Sequence, residues 1–334
     1  MLLLIKFWIF KLNPVILLSY LLILVFFLFN YLINIGITDT EEFLKSYFQL
    51  LVSPILLLIL YDQRNTIKDN LDLIINACVL MMTFFVFLQV GEQYIYGSTN
   101  SWFLFDDISI STAENAGRFE AVNLLNYIRP IGQYHEPSYL ALVAFLFYVI
   151  NDSRDNKSRF IEFLTLMTIL LSISLTVWSF LFAYFLIVKL RLIRSVIAII
   201  LIFVLTSNLE FLDFLRLSEI FEPGTSGWNR IMKPFDEYIY VINNFPLGIP
   251  MGNTRFIFDN SFFLFACYFG VLSIPIFSII LILLFIEKID VRIFIYVMAT
   301  MFVNGAIITV ESFMLIGFLV FSINQSEVSK ETAI

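Results

Sequence analysis

Arg129-Pro130-Ile131-Gly132-Gln133-Tyr134-His135-Glu136-Pro137-Ser138 closes a long polar segment and stands immediately before an apolar run. It holds the only histidine of the chain, beside a glutamate and between two prolines. Nearly everything around it reads as lipid-facing helix. A compact charged sequence at such a border either organises a turn or meets a polar ligand. The 334 residues are 60% hydrophobic and 14% charged, with 39 phenylalanines and a mean hydropathy of +0.90. That composition excludes an ordinary soluble domain. The apolar runs are continuous on every side rather than alternating, which excludes a barrel. They predict an all-α fold: a polytopic helical membrane protein, expected as a single integral membrane domain over 1–334.

Lys6 and Lys11 precede a first span, Pro14 to Ile33. It is read as retained, because it is long enough to cross and lacks a small-residue cleavage site. Further spans are expected over Phe43 to Tyr61, Leu73 to Val90, Tyr139 to Ile150, Leu192 to Ser207 and Ser261 to Ile286. Pro137 is expected at an early helical position of the Tyr139 span. Phe160 to Val188 and Ile293 to Ile323 are too long for one standard span and short for two. Each reads as a hairpin of two short helices. The first is expected to turn near Ser172, Ser174, Thr176 or Trp178, beside an internal polar cavity, because backbone groups inside the layer need partners. The second is interrupted by Asn304, Gly305, Thr309 and Glu311. The count is then about ten spans, or about eight if each awkward stretch crosses once.

Lys and Arg crowd the N-terminus and the linkers around Arg64, Arg154, Lys189 and Lys288, which the positive-inside rule makes cytoplasmic. Both long polar segments, 91–138 and 208–260, then fall on the outer face. Cys78 and Cys267 lie inside apolar runs and read as buried small side chains, with no zinc spacing or disulfide framework.

The same rule makes the remaining arginines informative. Arg118, Arg129, Arg216, Arg230 and Arg255 sit in the outer segments among acidic residues, where basic residues are scarce. Any one of them is served by a structural ion pair. Taken together, they suit a phosphate or pyrophosphate, whose oxygens a guanidinium holds bidentately. His135 and Glu136 are each able to take a proton; alternatively Glu136 caps the next helix or pairs with an arginine, and His135 bonds only to backbone. Phe245-Pro246-Leu247-Gly248-Ile249-Pro250-Met251-Gly252 reads as a turn-rich re-entry, followed by Arg255. Asp259 or Ser261 is expected to cap the next span. Glu311, an ionisable group within the last hairpin, is a functional candidate by depth.

Arg129-x-x-Gly132-x-x-x-Glu136-Pro137-Ser138 followed by a span resembles the pattern of bacterial oligosaccharide repeat-unit polymerases, the Wzy-type enzymes of O-antigen, capsule and exopolysaccharide assembly. Arg230, Pro246-Leu247-Gly248, Asp259-Asn260, Phe262, Phe263 and Gly270 agree with it in the second half. The resemblance implies transfer of a growing glycan from an undecaprenyl pyrophosphate carrier to another lipid-linked repeat unit, outside the bacterial inner membrane. It implies that Arg129, Arg230 and Arg255 hold the pyrophosphate and that Glu136 matches the family's glutamate, with Arg118 and Asp259 as weaker candidates. His135 is additional. The partners implied are the lipid-linked oligosaccharide as donor and acceptor, membrane lipid, a chain-length regulator and a flippase; no nucleic acid is expected.

The leaving group on such a donor is already good. The protein has to neutralise charge on the leaving oxygens, which arginines do without a metal, and to accept a proton from the attacking hydroxyl. Glu136 is the expected base and His135 its competitor. A single displacement would invert the anomeric centre. No metal-ligand cluster is visible, so no metal or cofactor is expected. Tyr94, Tyr96, Trp102, Tyr134 and Trp228 suit sugar stacking or an interfacial belt equally. The rival readings are a glycan ligase, a transporter of lipid-linked or anionic solutes, and a membrane scaffold.

Overall fold

The computed structural model describes residues 14–96, 137–154, 156–190, 222–225, 228–229, 231–251, 253, 260–286, 290–303 and 310–323. Every regular element among the described residues is helical, with no strand. In chain order they are α1 (Pro14–Ile33), α2 (Thr40–Asp62), α3 (Arg64–Asp69), α4 (Leu71–Tyr96), α5 (Pro137–Asp152), α6 (Arg159–Ser172), α7 (Leu175–Tyr184) with a π-helical turn (Phe185–Lys189), α8 (Met232–Asn244), α9 (Ser261–Phe269), α10 (Ser273–Ile286), α11 (Val291–Val303) and α12 (Val310–Ile323). Short 3₁₀ turns, Ile35–Ile37 and Gly270–Leu272, follow α1 and α9. Among the described residues two stretches are long and apolar enough to cross a membrane, Leu71–Gly91 and Ser261–Ile279, and shorter apolar helical stretches lie at Tyr20–Ile33, Pro137–Asp152, Thr176–Lys189, Val291–Val303 and Met314–Ile323. The expected span Leu192 to Ser207 lies outside the described residues. The chain forms two compact units.

One unit comprises Asp62–Phe211, Asp290–Val303 and Leu315–Ile334. Its centre is α5, in which every residue from Pro137 to Asn151 except Tyr139 is buried. A helix apolar around its whole circumference is stable only when neighbours cover all sides. Here α4, α6, α7 and α11 pack on it. Rings fill the contacts: Phe145 and Tyr148 both meet Tyr184 edge to face, at 5.9 and 5.7 Å between centroids, the arrangement the ring quadrupoles favour.

The stretch 160–188 is the expected hairpin. Ile173 ends α6 in the left-handed region, at φ 45°, and α7 starts two residues later. Asn151 ties the other end: its amide donates to the Ser158 carbonyl and its Oδ1 accepts from Ser158 N–H, both at 3.0 Å. Lys189, at the end of the π turn, bonds Asp152 at the end of α5. The α6–α7 pair therefore returns to the end of the unit from which it left.

The other unit comprises Met1–Tyr61, Leu212–Ile289 and Asn304–Met314. The stretch Ser261 to Ile286, expected as one continuous span, is broken at Gly270–Leu272. Into that break fits the turn 245–251. α8 runs beside α9: Phe235 meets the Phe263 ring at 6.1 Å, and the hydroxyls of Tyr238 and Ser273 lie 2.7 Å apart. At the break, Val271 N–H donates to the Pro246 carbonyl and Ile249 N–H to the Cys267 carbonyl, each at 3.0 Å. Asn30, buried on α1, shares its amide N–H groups among the carbonyls of Leu247 (3.4 Å), Ile249 (3.3 Å) and Tyr268 (3.4 Å). Asn34 in turn donates to Asn30 Oδ1 at 2.7 Å. The break follows the nine residues of α9, about 14 Å of helix. The turn-rich stretch thus folds back against the middle of an apolar segment, where unpaired backbone is costly.

Two glycines permit this approach. Gly248 has φ 88° and Gly270 φ 55°. A Cβ on Gly248 would stand 2.1 Å from the Tyr268 carbonyl oxygen, and one on Gly270 2.4 Å from that of Pro246. Gly248→Ala is expected to lower stability by about 2–4 kcal/mol, combining overpacking with the left-handed backbone. Asn30→Ala should cost about 1–3 kcal/mol by removing the donor from buried carbonyls. Both are read as a fall in thermal midpoint of the detergent-solubilised protein; an unchanged midpoint contradicts the docking.

Candidate functional site

Arg118, Arg129, His135, Glu136, Arg230, Arg255 and Asp259 all lie outside the described residues, as does Arg216. Glu311 falls in the first turn of α12. The structure shows what adjoins these positions in the chain. Pro137, the residue after Glu136, is the first of α5. Its fixed φ and missing N–H suit that position, as the sequence predicts. Ser138 follows it and is buried. Downstream, the cap of α9 is neither Asp259 nor Ser261 but Asn260, whose Oδ1 accepts from Phe262 N–H at 3.0 Å and Phe263 N–H at 3.4 Å. An Asn carboxamide caps as well as a carboxylate, so the sequence position alone could not decide between adjacent residues. Tyr94 is fully exposed on the last turn of α4.

Two groups of polar contacts in the α5 unit fall at its ends. At one end, where α5 finishes, Asp152 is the hub. Tyr184 donates to its Oδ2 at 2.8 Å, Lys189 to its Oδ1, and Lys157 lies 3.5 Å away. Arg154 pairs with Asp72 at the start of α4. Arg292, at the start of α11, holds Asp290 through Nε at 2.9 Å from both carboxylate oxygens. Four linkers that charge counting assigns to one side of a membrane are thus anchored at one end of the unit. Burial alone would push the Asp152 carboxyl up, but the Lys189 and Tyr184 hydrogen bonds and the charges of Lys189 and Lys157 outweigh it and hold the carboxyl below its ordinary value. Asp290 behaves likewise: burial raises it, and the Arg292 bonds and charge bring it below the usual range.

At the other end lies the α6–α7 turn. From Arg159 to Ser172, α6 rises about 20 Å, as α5 does from Asp152 back to Tyr139. The two pack against each other and share the Asn151–Ser158 tie, so the turn is level with the first turn of α5. The carbonyls ending α6 are well provided for. Ile169 O accepts from Ser172 Oγ at 2.7 Å and from Trp178 Nε1 at 2.9 Å, and Leu170 O accepts from Ile173 N–H at 3.2 Å. The start of α7 differs: Ser174 is its N-cap residue but makes no side-chain cap bond.

Sequence reasoning passed over Asn30 and Asp152. Asn30 was visible as an amide inside an otherwise apolar run, and Asp152 as the acid that follows the most thoroughly apolar helix. Neither adjoins a recognisable motif.

A strongly apolar chain whose described elements are all helical, with a helix buried on every side and a broken helix that receives a folded-back turn, is built as a helical membrane protein would be. Sequence comparison gives the family. The model of the WcaD colanic acid polymerase family matches residues 1–325, and the chain belongs to that family, one of Wzy-type repeat-unit polymerases. The protein is accordingly a polymerase of polysaccharide biosynthesis that joins repeat units. No curated protein and no solved structure matches the chain.

Asp152→Asn leaves Lys189 without its anionic partner and should cost about 1–3 kcal/mol. Because the folded carboxyl lies below its unfolded value, its contribution is fully present above about pH 4 and is lost as pH falls through the lower folded value. Thermal midpoints of wild type and variant should therefore converge on acidification. A gap that persists at the acid end would assign the loss to packing instead.

Proposed function

We propose that this polymerase joins undecaprenyl-pyrophosphate-linked oligosaccharide repeat units by an inverting, metal-independent glycosyl transfer. It acts from about ten membrane spans, with the segments 91–138 and 208–260 on the outer side of the bacterial inner membrane. The lipid-linked repeat unit serves as both donor and acceptor. Arg129, Arg230 and Arg255 neutralise charge on the departing pyrophosphate, with Arg118 and Asp259 as further contacts and Glu311 as a polar group from the last hairpin. Glu136 accepts the proton of the attacking hydroxyl; His135 is the alternative base. The bond that breaks joins the anomeric carbon to a phosphate oxygen, and the bond that forms joins that carbon to the acceptor oxygen. A chain-length regulator and a flippase act alongside.

The observation that carries this reading is the position of Glu136 in the chain. It directly precedes Pro137, the first residue of a helix buried around its whole circumference. A general base has to be held within hydrogen-bond reach of its proton, and a rigid, fully packed helix is a suitable support for one. The outer arginines supply the donors that phosphate oxygens need, and the family match over residues 1–325 supports repeat-unit joining.

Incubation of the purified protein with an undecaprenyl-pyrophosphate-linked repeat unit should yield a ladder of lengthening products in the presence of a chelator. Glu136→Gln should lower the chemical rate about 100-fold or more while substrate binding is kept. Arg129→Ala, Arg230→Ala and Arg255→Ala should each weaken lipid-pyrophosphate binding about ten-fold or more. Transfer to a different acceptor without a ladder would make the protein a ligase. Lipid movement without glycosidic bond formation would make it a transporter.

A further inference from the structure

α8 carries three rows of side chains, each with the i, i+4, i+7 spacing that keeps a row on one face of a helix. Pro234, Tyr238 and Val241 form the row that packs. Pro234 and Val241 are buried, and Tyr238 reaches the Phe263 ring, 6.4 Å between centroids, and the Ser273 hydroxyl. Phe235, Ile239 and Ile242 form the second row, about 100° round the helix. It is wholly apolar, and Phe235 and Ile239 stay 46% and 43% exposed. Asp236, Tyr240 and Asn243 form the third row, about 100° further on. All three are exposed, and Lys233, Glu237 and Asn244 widen the polar side that they begin.

The surface that packing leaves open is therefore divided lengthwise, with one flank apolar and the other polar. Exposed apolar side chains scattered singly need no explanation. A sorted division does: a helix surrounded by water has no cause to sort its exposed flanks, whereas one at the boundary of hydrocarbon and water does. The apolar flank is also continuous with its surroundings. Phe235 meets Phe263 edge to face at 6.1 Å, Phe263 meets Phe262 at 5.4 Å, and Phe262 stacks on Phe277 of α10 at 4.8 Å. This row of rings carries the flank onto Ser261–Ile279, a stretch long and apolar enough to cross a membrane, along which Ile274 and Ile279 are exposed.

We propose that α8 is an interfacial helix, with its Phe235–Ile239–Ile242 flank among the acyl chains of the bilayer and its Asp236–Tyr240–Asn243 flank toward headgroups and water. The apolar flank reaches about 5–10 Å into the boundary between headgroups and acyl chains. The segment 208–260, which the sequence marks as one long polar segment, then meets the bilayer along α8. The occupant is lipid: a protein partner on the apolar flank would account neither for the sorting of the polar flank nor for the continuity of rings onto α9 and α10. The assignment needs a bilayer beside α8 and does not depend on the transfer chemistry proposed above.

The test reads what surrounds each flank. Phe235→Cys, Ile239→Cys, Asp236→Cys and Asn243→Cys, each in full-length protein carrying Cys78→Ala and Cys267→Ala, are labelled with bimane and placed in lipid nanodiscs. Lipids brominated on their acyl chains should quench the label at 235 and 239 and leave it bright at 236 and 243; iodide in the water should do the reverse. Iodide quenching at all four positions, with none from brominated lipid, puts α8 in water and overturns the assignment. Labels at 235 and 239 that neither quencher reaches put protein there, a partner or a second copy, and also overturn it. Ile239→Asp and Asn243→Asp test the same point without labels, since a carboxylate is costly among acyl chains and not in water. The first should lower the thermal midpoint in nanodiscs and the second should leave it unchanged; equal midpoints contradict the assignment.

Discussion

A backbone amide or carbonyl that leaves a helix inside an apolar layer has to find its partner there, because the layer offers none. That constraint governs the architecture. Where the chain is uninterrupted helix, as over the 26 residues of α4, the requirement is met internally. Where the chain turns, other groups are brought in. At the α9–α10 break those groups are the turn 245–251 and Asn30. At the α6–α7 turn they are Ser172 and Trp178. The two glycines that permit the first solution and the left-handed Ile173 that permits the second are consequences of the same rule.

The two ends of the α5 unit are tied by different chemistry. At the Asp152 end, charges of both signs are matched closely, and the carboxyl is held ionised by Lys189 and Tyr184. Such pairing anchors the ends of α5, the π turn and the adjoining linkers without needing a ligand. At the α6–α7 turn, neutral donors from Ser172, Ile173 and Trp178 meet the carbonyls that end α6.

Much of the helical layout was legible. The unmixed apolar runs announced helices, and the awkward length of 160–188 announced a hairpin whose turn falls among the serines foreseen for it. Pro137 marked a helix start. The Gly270 break was not legible, because a glycine in a long apolar run reads as ordinary in a membrane helix; only the close approach of Pro246 shows why it is there. Asn260 rather than Asp259 or Ser261 as the cap was likewise hidden, since adjacent residues with equal capping chemistry are separated only by backbone geometry. The candidate arginines were legible as a type, through positive charge in segments that charge counting places where it is rare, and Glu136 through its place before Pro137 at a helix start. Their geometry belongs to segments outside the described residues.

The burial of α5 has a consequence for its length. Its 16 residues span about 24 Å, short of the roughly 30 Å of a bilayer's hydrocarbon core. A lipid-facing helix that short would thin the membrane around it or draw flanking residues inward. A helix sheathed on every side by its own protein meets no acyl chain and incurs no such mismatch. Its length is then free to be chosen for where its ends must stand rather than for the thickness it must cross. The first residue of α5 is then under no requirement to reach the headgroups.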